Sequence, residues 1–345
     1  MSDEHARREA GVVAEERSAQ SSTVLVTRAL VPEAMRALDG TCDIDLYEGP
    51  PEAIPRDELL RRAAGKDGLL TLLTERVDAE LLDAAGPQLK IVANHAVGFD
   101  NVDVPECTRR GVLVTNTPDV LTEATADLAW SLILACVRRV AEGDRFLRSR
   151  RPWIWGPSMM LGHDLYGKTL GIAGCGRIGQ AVARRATGFG MRVTYHDPVR
   201  LPEDVERSLG VTWCPFETLL AESDVISVHT PLLPETRHLF GADAFGRMKP
   251  TAVLVNTARG PIVDEAALAE ALRAGEIFAA GLDVYEREPE VEPALLDLDN
   301  VTLLPHLGSA TIETRTAMGL LAVDNLLAGL NGKRPRTLVN QEAWV

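Results

Sequence analysis

Short apolar runs recur along this chain, and between them apolar residues return at helical spacing. Thr23–Val26, Cys42–Tyr47, Gly68–Leu73, Lys90–Asn94 and Val112–Thr115 read as strands. Pro32–Leu38, Arg56–Ala64, Asp78–Ala84 and Val104–Arg110 read as the helices between them. Short apolar strands alternating with helices predict a parallel sheet covered on both faces. A long helix is predicted over Glu123–Leu147. A second alternating block starts at Lys168, with strands at Thr169–Ala173, Arg192–His196, Val225–His229, Val253–Asn256, Ala279–Val284 and Val301–Leu304. A last helix, Ile312–Leu330, is expected to return to the first block. The fold class is therefore α/β, with two doubly wound parallel-sheet domains. The expected boundaries are a disordered N-terminal extension at 1–22, one domain from 23–118 with 312–345, and a second at 119–311.

Composition narrows the function classes. The chain has 345 residues, of which 46% are apolar and 25% charged, an ordinary globular profile. Its net charge of −14 argues against a nucleic-acid surface and against an anionic membrane. The apolar runs are strand-length, too short to span a bilayer. Five cysteines are scattered, with no Cys-x-x-Cys pair and no Cys/His cluster. Neither a disulfide framework nor a metal site is implied, and a reducing cytoplasm fits. The segment from Arg150 to Gly162 is irregular, rich in Pro and Gly, and strongly apolar. It is too apolar to be solvated. It either packs on its own domain or reaches across a dimer.

The second block opens on Gly174-Cys175-Gly176-Arg177-Ile178-Gly179, placed between a strand and a helix. The next strand ends on Asp197. A dinucleotide needs this order. Gly174 permits the tight turn, Gly176 lets backbone approach a pyrophosphate, and Gly179 lets the helix pack close to the strand. The helix N-terminus then offers free N–H groups to the phosphates.

Three polar residues follow successive strands of this block: Arg259 after Val253–Ala258, Glu288 after Gly281–Val284, and His306 after Leu303-Leu304-Pro305. Open α/β sheets put their chemistry at such strand ends. Each residue alone has a structural reading, as a surface ion pair, a solvated acid or a satisfied boundary histidine. Their joint placement favours a site.

With Val255-Asn256-Thr257-Ala258-Arg259-Gly260, Gly281-Leu282-Asp283-Val284-Tyr285-Glu286-Arg287-Glu288-Pro289 and Leu304-Pro305-His306-Leu307-Gly308-Ser309-Ala310-Thr311, the chain resembles the D-isomer-specific 2-hydroxyacid dehydrogenases from about Thr23 to Asn340. Within them it is most similar to the glyoxylate/hydroxypyruvate reductases, as Trp153–Pro157 and Leu165–Thr169 indicate. The resemblance implies a flavodoxin-like substrate domain and an NAD-binding Rossmann domain in a cytoplasmic homodimer. It implies reduction of a small 2-oxo acid to a D-2-hydroxy acid.

Arg259 would bind the substrate's carboxylate and carbonyl oxygens through its planar fork. His306 would protonate the developing alkoxide, and Glu288 would pair with His306 and favour its protonated form. In Asn94–Asn101, the N–H groups of Val97 and Gly98 would grip the carboxylate. Cofactor contacts are expected from Gly174, Gly176, Arg177, Ile178, Gly179, Asp197, Thr230, Pro231, Thr257, Ala258, Arg259, Asp283, His306 and Gly308, and no metal is expected. Asp197 would accept from ribose hydroxyls and repel a 2′-phosphate, which favours NAD(H). Arg200, three residues on, leaves NADP(H) open. Cys175 reads as a small filler. The rivals are another 2-hydroxyacid dehydrogenase, such as a phosphoglycerate dehydrogenase, and a non-enzymatic nucleotide-sensing corepressor.

Overall fold

The computed structural model describes residues 21–50 and 53–344. The extension expected at 1–22 lies outside them, apart from Ser21 and Ser22. The chain divides into two compact units, Met1–Pro118 with Thr316–Val345, and Asp119–Arg315.

In the first unit β1 (Thr23–Val26), β2 (Asp43–Leu46), β3 (Gly68–Thr71), β4 (Ile91–Asn94) and β5 (Leu113–Thr115) form a parallel sheet in the order β2-β1-β3-β4-β5. Helices α1 (Pro32–Leu38), α2 (Arg56–Ala63), α3 (Ala79–Ala85) and α4 (Val104–Arg109) connect the strands. Successive strand residues face opposite sides of a sheet, and both sides here are covered. Leu25, Leu69, Val92 and Val114 pack with Leu59 and Leu81 on one face. Val24, Val26, Leu70 and Ile91 pack on the other with Leu38, and with Val323 and Leu326 of the helix Ile312–Leu330. That helix comes close because Gly329 lies against Ile91; a Cβ there would sit 2.6 Å from the Ile91 Cδ1. Local signals set the ends of α3: the Asp78 side chain caps the Leu81 N–H at 3.1 Å, and Gly86 takes a φ of 94° after the last turn.

The second unit holds a seven-stranded parallel sheet. Its strands are β6 (Thr169–Ala173), β7 (Arg192–His196), β8 (Val211–Trp213), β9 (Val225–Val228), β10 (Val253–Asn256), β11 (Ala279–Leu282) and β12 (Val301–Leu303), in the order β12-β11-β10-β9-β6-β7-β8. Strand order reverses between β6 and β9, which is where doubly wound sheets open a crevice for ligands. Helices α5 (Thr122–Val137), α6 (Val140–Arg148), α7 (Arg177–Ala186), α8 (Glu203–Leu209), α9 (Phe216–Glu222) and α10 (Glu265–Ala274) surround it, with shorter turns between. Leu170, Ile172, Tyr195 and Val255 meet Ala129, Trp130 and Ile133 of α5 and Val182 of α7. Ile226, Val228, Leu254 and Leu282 meet Leu219, Phe240, Phe245 and Leu268 on the other face. The Trp130 indole stacks on Phe189 at 4.3 Å and donates to the Val182 carbonyl at 3.0 Å, so this large side chain is buried without an orphaned N–H.

Two expectations need correction. The second sheet has a seventh strand, β8, whose three residues were too short to register as an apolar run. The helix expected over Glu123–Leu147 is broken, because Arg139 takes a left-handed φ of 54° between α5 and α6. Its guanidinium holds that break, donating to Glu142 at 2.7 and 2.6 Å and to the Leu161 carbonyl at 3.3 Å. The apolar segment that follows lies open: Ile154 is 90% and Trp155 77% exposed. Among the described residues no helix is long and apolar enough to cross a membrane.

Candidate active site

The glycine turn is built as its spacing demands. Gly174 has a φ of 89°, and a Cβ there would lie 2.7 Å from the Thr230 nitrogen. No residue with a side chain fits. A Cβ on Gly179 would lie 2.3 Å from the Gly174 carbonyl oxygen, so α7 seats directly against the turn. Gly176 faces open space, with nothing within 4 Å of its Cβ position. It precedes α7 without a side-chain cap, which leaves the first-turn N–H groups available for an anion. Arg177, on the same turn, is paired with Asp119 at 2.7 Å, and Ile178 packs into the core.

Asp197 follows β7 and folds its carboxylate over this turn. It accepts from the Cys175 N–H at 3.0 Å and the Val199 N–H at 3.1 Å. Burial, then Asp197 and Glu206, push the Cys175 thiol up to about 12, which makes it the inert filler its size suggested. Arg200 is committed elsewhere. Its Nε and Nη2 donate to Glu206 at 2.9 and 2.8 Å, and Glu206 also accepts from the buried Tyr195 hydroxyl at 2.7 Å.

Beyond β9 and β10 lie Thr230-Pro231 and Thr257-Ala258. The hydroxyl oxygens of Thr230 and Thr257 are buried with no hydrogen-bond partner among the described residues. Buried hydroxyls are normally satisfied, so these two fit a site whose ligand supplies the partners. The open Gly176, the uncapped α7 and the Asp197 carboxylate fit a dinucleotide in the same crevice.

The three strand-end residues are also placed. Arg259 follows β10 in extended backbone, and Asn256 fixes it by donating to its carbonyl at 2.9 Å. Glu288 accepts from the Tyr285 N–H at 3.1 Å, and its other oxygen meets the His306 Nδ1 at 2.8 Å. That contact leaves Nε2 as the ring nitrogen free to exchange a proton. Burial opposes the charge on Glu288. The His306 hydrogen bond and charge, the Tyr285 N–H and the Arg259 charge outweigh it, and hold the carboxyl below its usual range. Arg259 therefore acts electrostatically on Glu288.

Sequence reading missed how the loops carrying this pair are held. His306 has a φ of 56°, and its N–H donates to the Asp283 carbonyl at 2.9 Å. The buried Asp283 carboxylate accepts from the Leu307 and Gly308 N–H groups at 2.6 and 2.8 Å. Asp283 and Gly308, expected as cofactor contacts, are thus already bonded to each other. Behind Glu288, the buried Glu265 at the start of α10 accepts from the Glu286 and Glu292 N–H groups at 2.6 and 3.3 Å. The Tyr285 hydroxyl donates to the Leu304 carbonyl at 2.9 Å and ties the two loops together. Asp264 caps the same helix, accepting from the Ala267 N–H at 3.0 Å, whereas Glu265 carries no motif. Its reach to a distant loop had no sequence signature.

The substrate loop expected at Asn94–Asn101 belongs to the other unit. It follows β4, with Val97 and Gly98 half-buried and Asn94 fully buried.

Comparison with known proteins adds an independent line. The family described as D-isomer specific 2-hydroxyacid dehydrogenase, NAD binding domain, matches residues 130–308. A glyoxylate reductase from Thermococcus onnurineus is 51% identical over 323 residues, 92% of this chain and 96% of its own length. A crystal structure of a Thermus thermophilus protein superposes with a TM-score of 0.86 at 46% identity, covering 92% of this chain and 99% of that one. An NADPH-dependent glyoxylate/hydroxypyruvate reductase from Sinorhizobium meliloti, solved with NADP and malonate, gives a TM-score of 0.80 at 37% identity, with 94% and 98% covered.

The Glu288–His306 pair sets a pH signature. A carboxyl depressed in the folded chain contributes stability that is complete above its unfolded value, about 4.3, and lost as pH falls through the folded value. Glu288→Gln should therefore lose stability less steeply than the wild type below about pH 4.3, as read by urea unfolding across the acid range. Parallel curves for the two proteins would dispose of the charge pair.

Proposed function

The chain belongs to the D-isomer-specific 2-hydroxyacid dehydrogenases, and from that premise we propose that it reduces glyoxylate or hydroxypyruvate to the D-2-hydroxy acid with NADH, His306 acting as proton donor. The observation that carries this reading is the set Arg259, Glu288 and His306 beyond successive strands, with Nδ1 of His306 held on Glu288 at 2.8 Å.

The nicotinamide, when bound, supplies the hydride. Everything else falls to the chain. The Arg259 guanidinium takes the substrate's carboxylate and carbonyl oxygens and draws charge toward the carbonyl oxygen. The Val97 and Gly98 N–H groups take the carboxylate. Glu288 orients the imidazole and stabilises its cationic form, so that Nε2 delivers a proton to the developing alkoxide. In the oxidative direction the same nitrogen removes it. Gly174, Gly176, Gly179 and the start of α7 would receive the pyrophosphate, Thr257 and Ala258 would line the nicotinamide pocket, and Thr230 and Pro231 would add further cofactor contacts.

The preference for NADH rests on two observations. Asp197 presents a carboxylate where the adenosine ribose would lie. Arg200, the nearby cation that could have taken a 2′-phosphate, is held by Glu206. A homodimer is supported by the run of exposed apolar side chains at Trp153, Ile154, Trp155 and Leu161, the kind of surface that marks an interaction site.

Purified protein should oxidise NADH with glyoxylate or hydroxypyruvate faster than with pyruvate or 3-phosphohydroxypyruvate, followed by absorbance. His306→Asn should lower kcat by roughly 10²–10⁴-fold, and Arg259→Ala should lower kcat/KM. Full activity in either variant would end this reading. Asp197→Ser should lower kcat/KM for NADH on the order of 10–100-fold, the worth of one charged hydrogen bond, and leave NADPH turnover equal or better. An unchanged cofactor ratio would refute the role of Asp197. Sedimentation should give a dimer at micromolar concentration, and a monomer would refute the role of the Trp153–Leu161 segment.

A further inference from the structure

The turn after β4 has an unusual hydrogen-bond arrangement. Its four successive carbonyls, Ala96 to Phe99, are all taken from inside the first unit. The Ala96 carbonyl accepts from the Thr117 N–H at 2.7 Å, and the Phe99 carbonyl from the Val102 N–H at 2.9 Å. The two between them are taken by side-chain amides. Asn116 Nδ2 donates to the Val97 carbonyl at 2.8 Å, and Asn94 Nδ2 to the Gly98 carbonyl at 2.9 Å.

In a planar trans peptide the N–H points opposite to the preceding carbonyl. Fixing the carbonyls of residues 96, 97 and 98 therefore turns the N–H groups of Val97, Gly98 and Phe99 the other way. None of these three N–H groups meets an acceptor among the described residues. Successive N–H groups presented from one turn make an anion-binding concavity.

The amides that do this are themselves held. Asn94 is fully buried, and its Oδ1 accepts from Asn101 Nδ2 at 3.3 Å. Asn101 Nδ2 in turn donates to the Leu72 and Glu75 carbonyls at 3.0 and 2.9 Å. Asn116 stands just past β5, where the C-terminal segment runs antiparallel to that strand through the Thr115–Leu338 bridge. The Thr337 hydroxyl donates to the Asn116 carbonyl at 2.6 Å. The buried Asn325, on the helix Ile312–Leu330, donates to that hydroxyl at 2.6 Å and accepts from the Thr337 N–H at 3.1 Å. The nearly buried Asn340 anchors the segment further along, accepting from the Val114 N–H at 2.8 Å and donating to the Val112 carbonyl at 2.9 Å.

We propose that Asn116 and Asn94 are positioning residues for substrate binding: their amides hold the turn so that Val97, Gly98 and Phe99 present three N–H groups to the carboxylate of a 2-oxo acid, and the C-terminal segment holds Asn116 through Thr337. This rests on the function proposed above. A backbone nest of this kind recognises a carboxylate by geometry and short-range donors, without a second cation.

The test compares wild type with Asn116→Ala and Asn116→Asp. Steady-state turnover of glyoxylate with NADH is measured beside calorimetric binding of oxalate, a carboxylate probe that is not turned over. Loss of the amide donor should raise KM for glyoxylate on the order of ten-fold and weaken oxalate to match. KM for NADH and the thermal midpoint should stay near wild type. Thr337→Val should show part of the same rise, and Thr337→Ser, which keeps the hydroxyl, should restore the wild-type value. A merely structural Asn116 would lower the thermal midpoint and disturb both substrates together, which overturns the proposal. Wild-type oxalate affinity in Asn116→Ala overturns it and leaves the enzyme assignment standing. A wild-type protein that neither turns over glyoxylate nor binds oxalate overturns both.

Discussion

The chemistry of the second unit depends on one buried carboxylate. Asp283, at the end of β11, accepts two backbone N–H groups from the chain beyond β12, and its own carbonyl accepts a third from His306. Burial pushes its carboxyl up, and the Leu307 and Gly308 N–H groups and the charge of His306 pull against that. A buried carboxylate is tolerated when its oxygens are satisfied in this way. The arrangement decides where the imidazole stands. A left-handed backbone is costly for a residue with a Cβ, by roughly 1–2 kcal/mol. His306 keeps its φ of 56° because Asp283 holds its N–H and those of the two residues that follow it. The same loop then offers Nδ1 to Glu288, whose own loop is held by Glu265 and Tyr285. Two buried acids therefore act as frame, and the more exposed Glu288 keeps its charge for the histidine.

Much of the fold and of the candidate site was legible in the sequence. Alternating short apolar runs and helical spacing defined both sheets, because parallel strands buried on two faces must be apolar throughout. The glycine turn was legible because each glycine has a separate steric reason: Gly174 against Thr230, Gly179 against the Gly174 carbonyl, and Gly176 in open space. Arg259, Glu288 and His306 stood out because strand ends can be counted along the chain. What escaped notice depends on contacts between distant residues. β8 is three residues at a sheet edge, with Thr212 exposed, and it gains its identity only from pairing with β7. The break at Arg139 has no Gly or Pro to announce it. It exists because Glu142 and the Leu161 carbonyl compensate a left-handed residue. Glu265, Asn116 and Asn325 carry no motif. Each is an ordinary polar residue until the fold brings a loop to it.

The two units hold their loops by different means, and the difference follows from what each loop offers. In the second unit the loops carry ionisable side chains, and acids such as Asp283 and Glu265 secure them through N–H groups that are then no longer available to a ligand. In the first unit the turn's N–H groups are themselves the proposed recognition elements, so a frame that leaves them open must bind carbonyls, and amide donors suit that task. A carboxylate could not donate to the Val97 or Gly98 carbonyl. A lysine could, but it would set a strong point charge behind the turn and attract anions of any shape. Neutral amides of Asn94 and Asn116 fix the direction of the peptides and leave the field to the peptides themselves.

This bears on how a chain with a net charge of −14 can select an anionic substrate. Over long range such a charge repels a carboxylate, but at physiological ionic strength the repulsion between exposed charges is largely screened beyond roughly 8 Å. Within that distance only local donors matter. Arg259 supplies a full positive charge and a planar fork, and its field already lowers the Glu288 carboxyl beside it. The peptide N–H groups proposed to bind the carboxylate act as dipoles, whose influence dies away faster with distance than that of a charge. Each kind of donor suits a small carboxylate in its own way: the guanidinium as a planar fork, and the turn proposed to bind substrate through peptides held in a fixed direction.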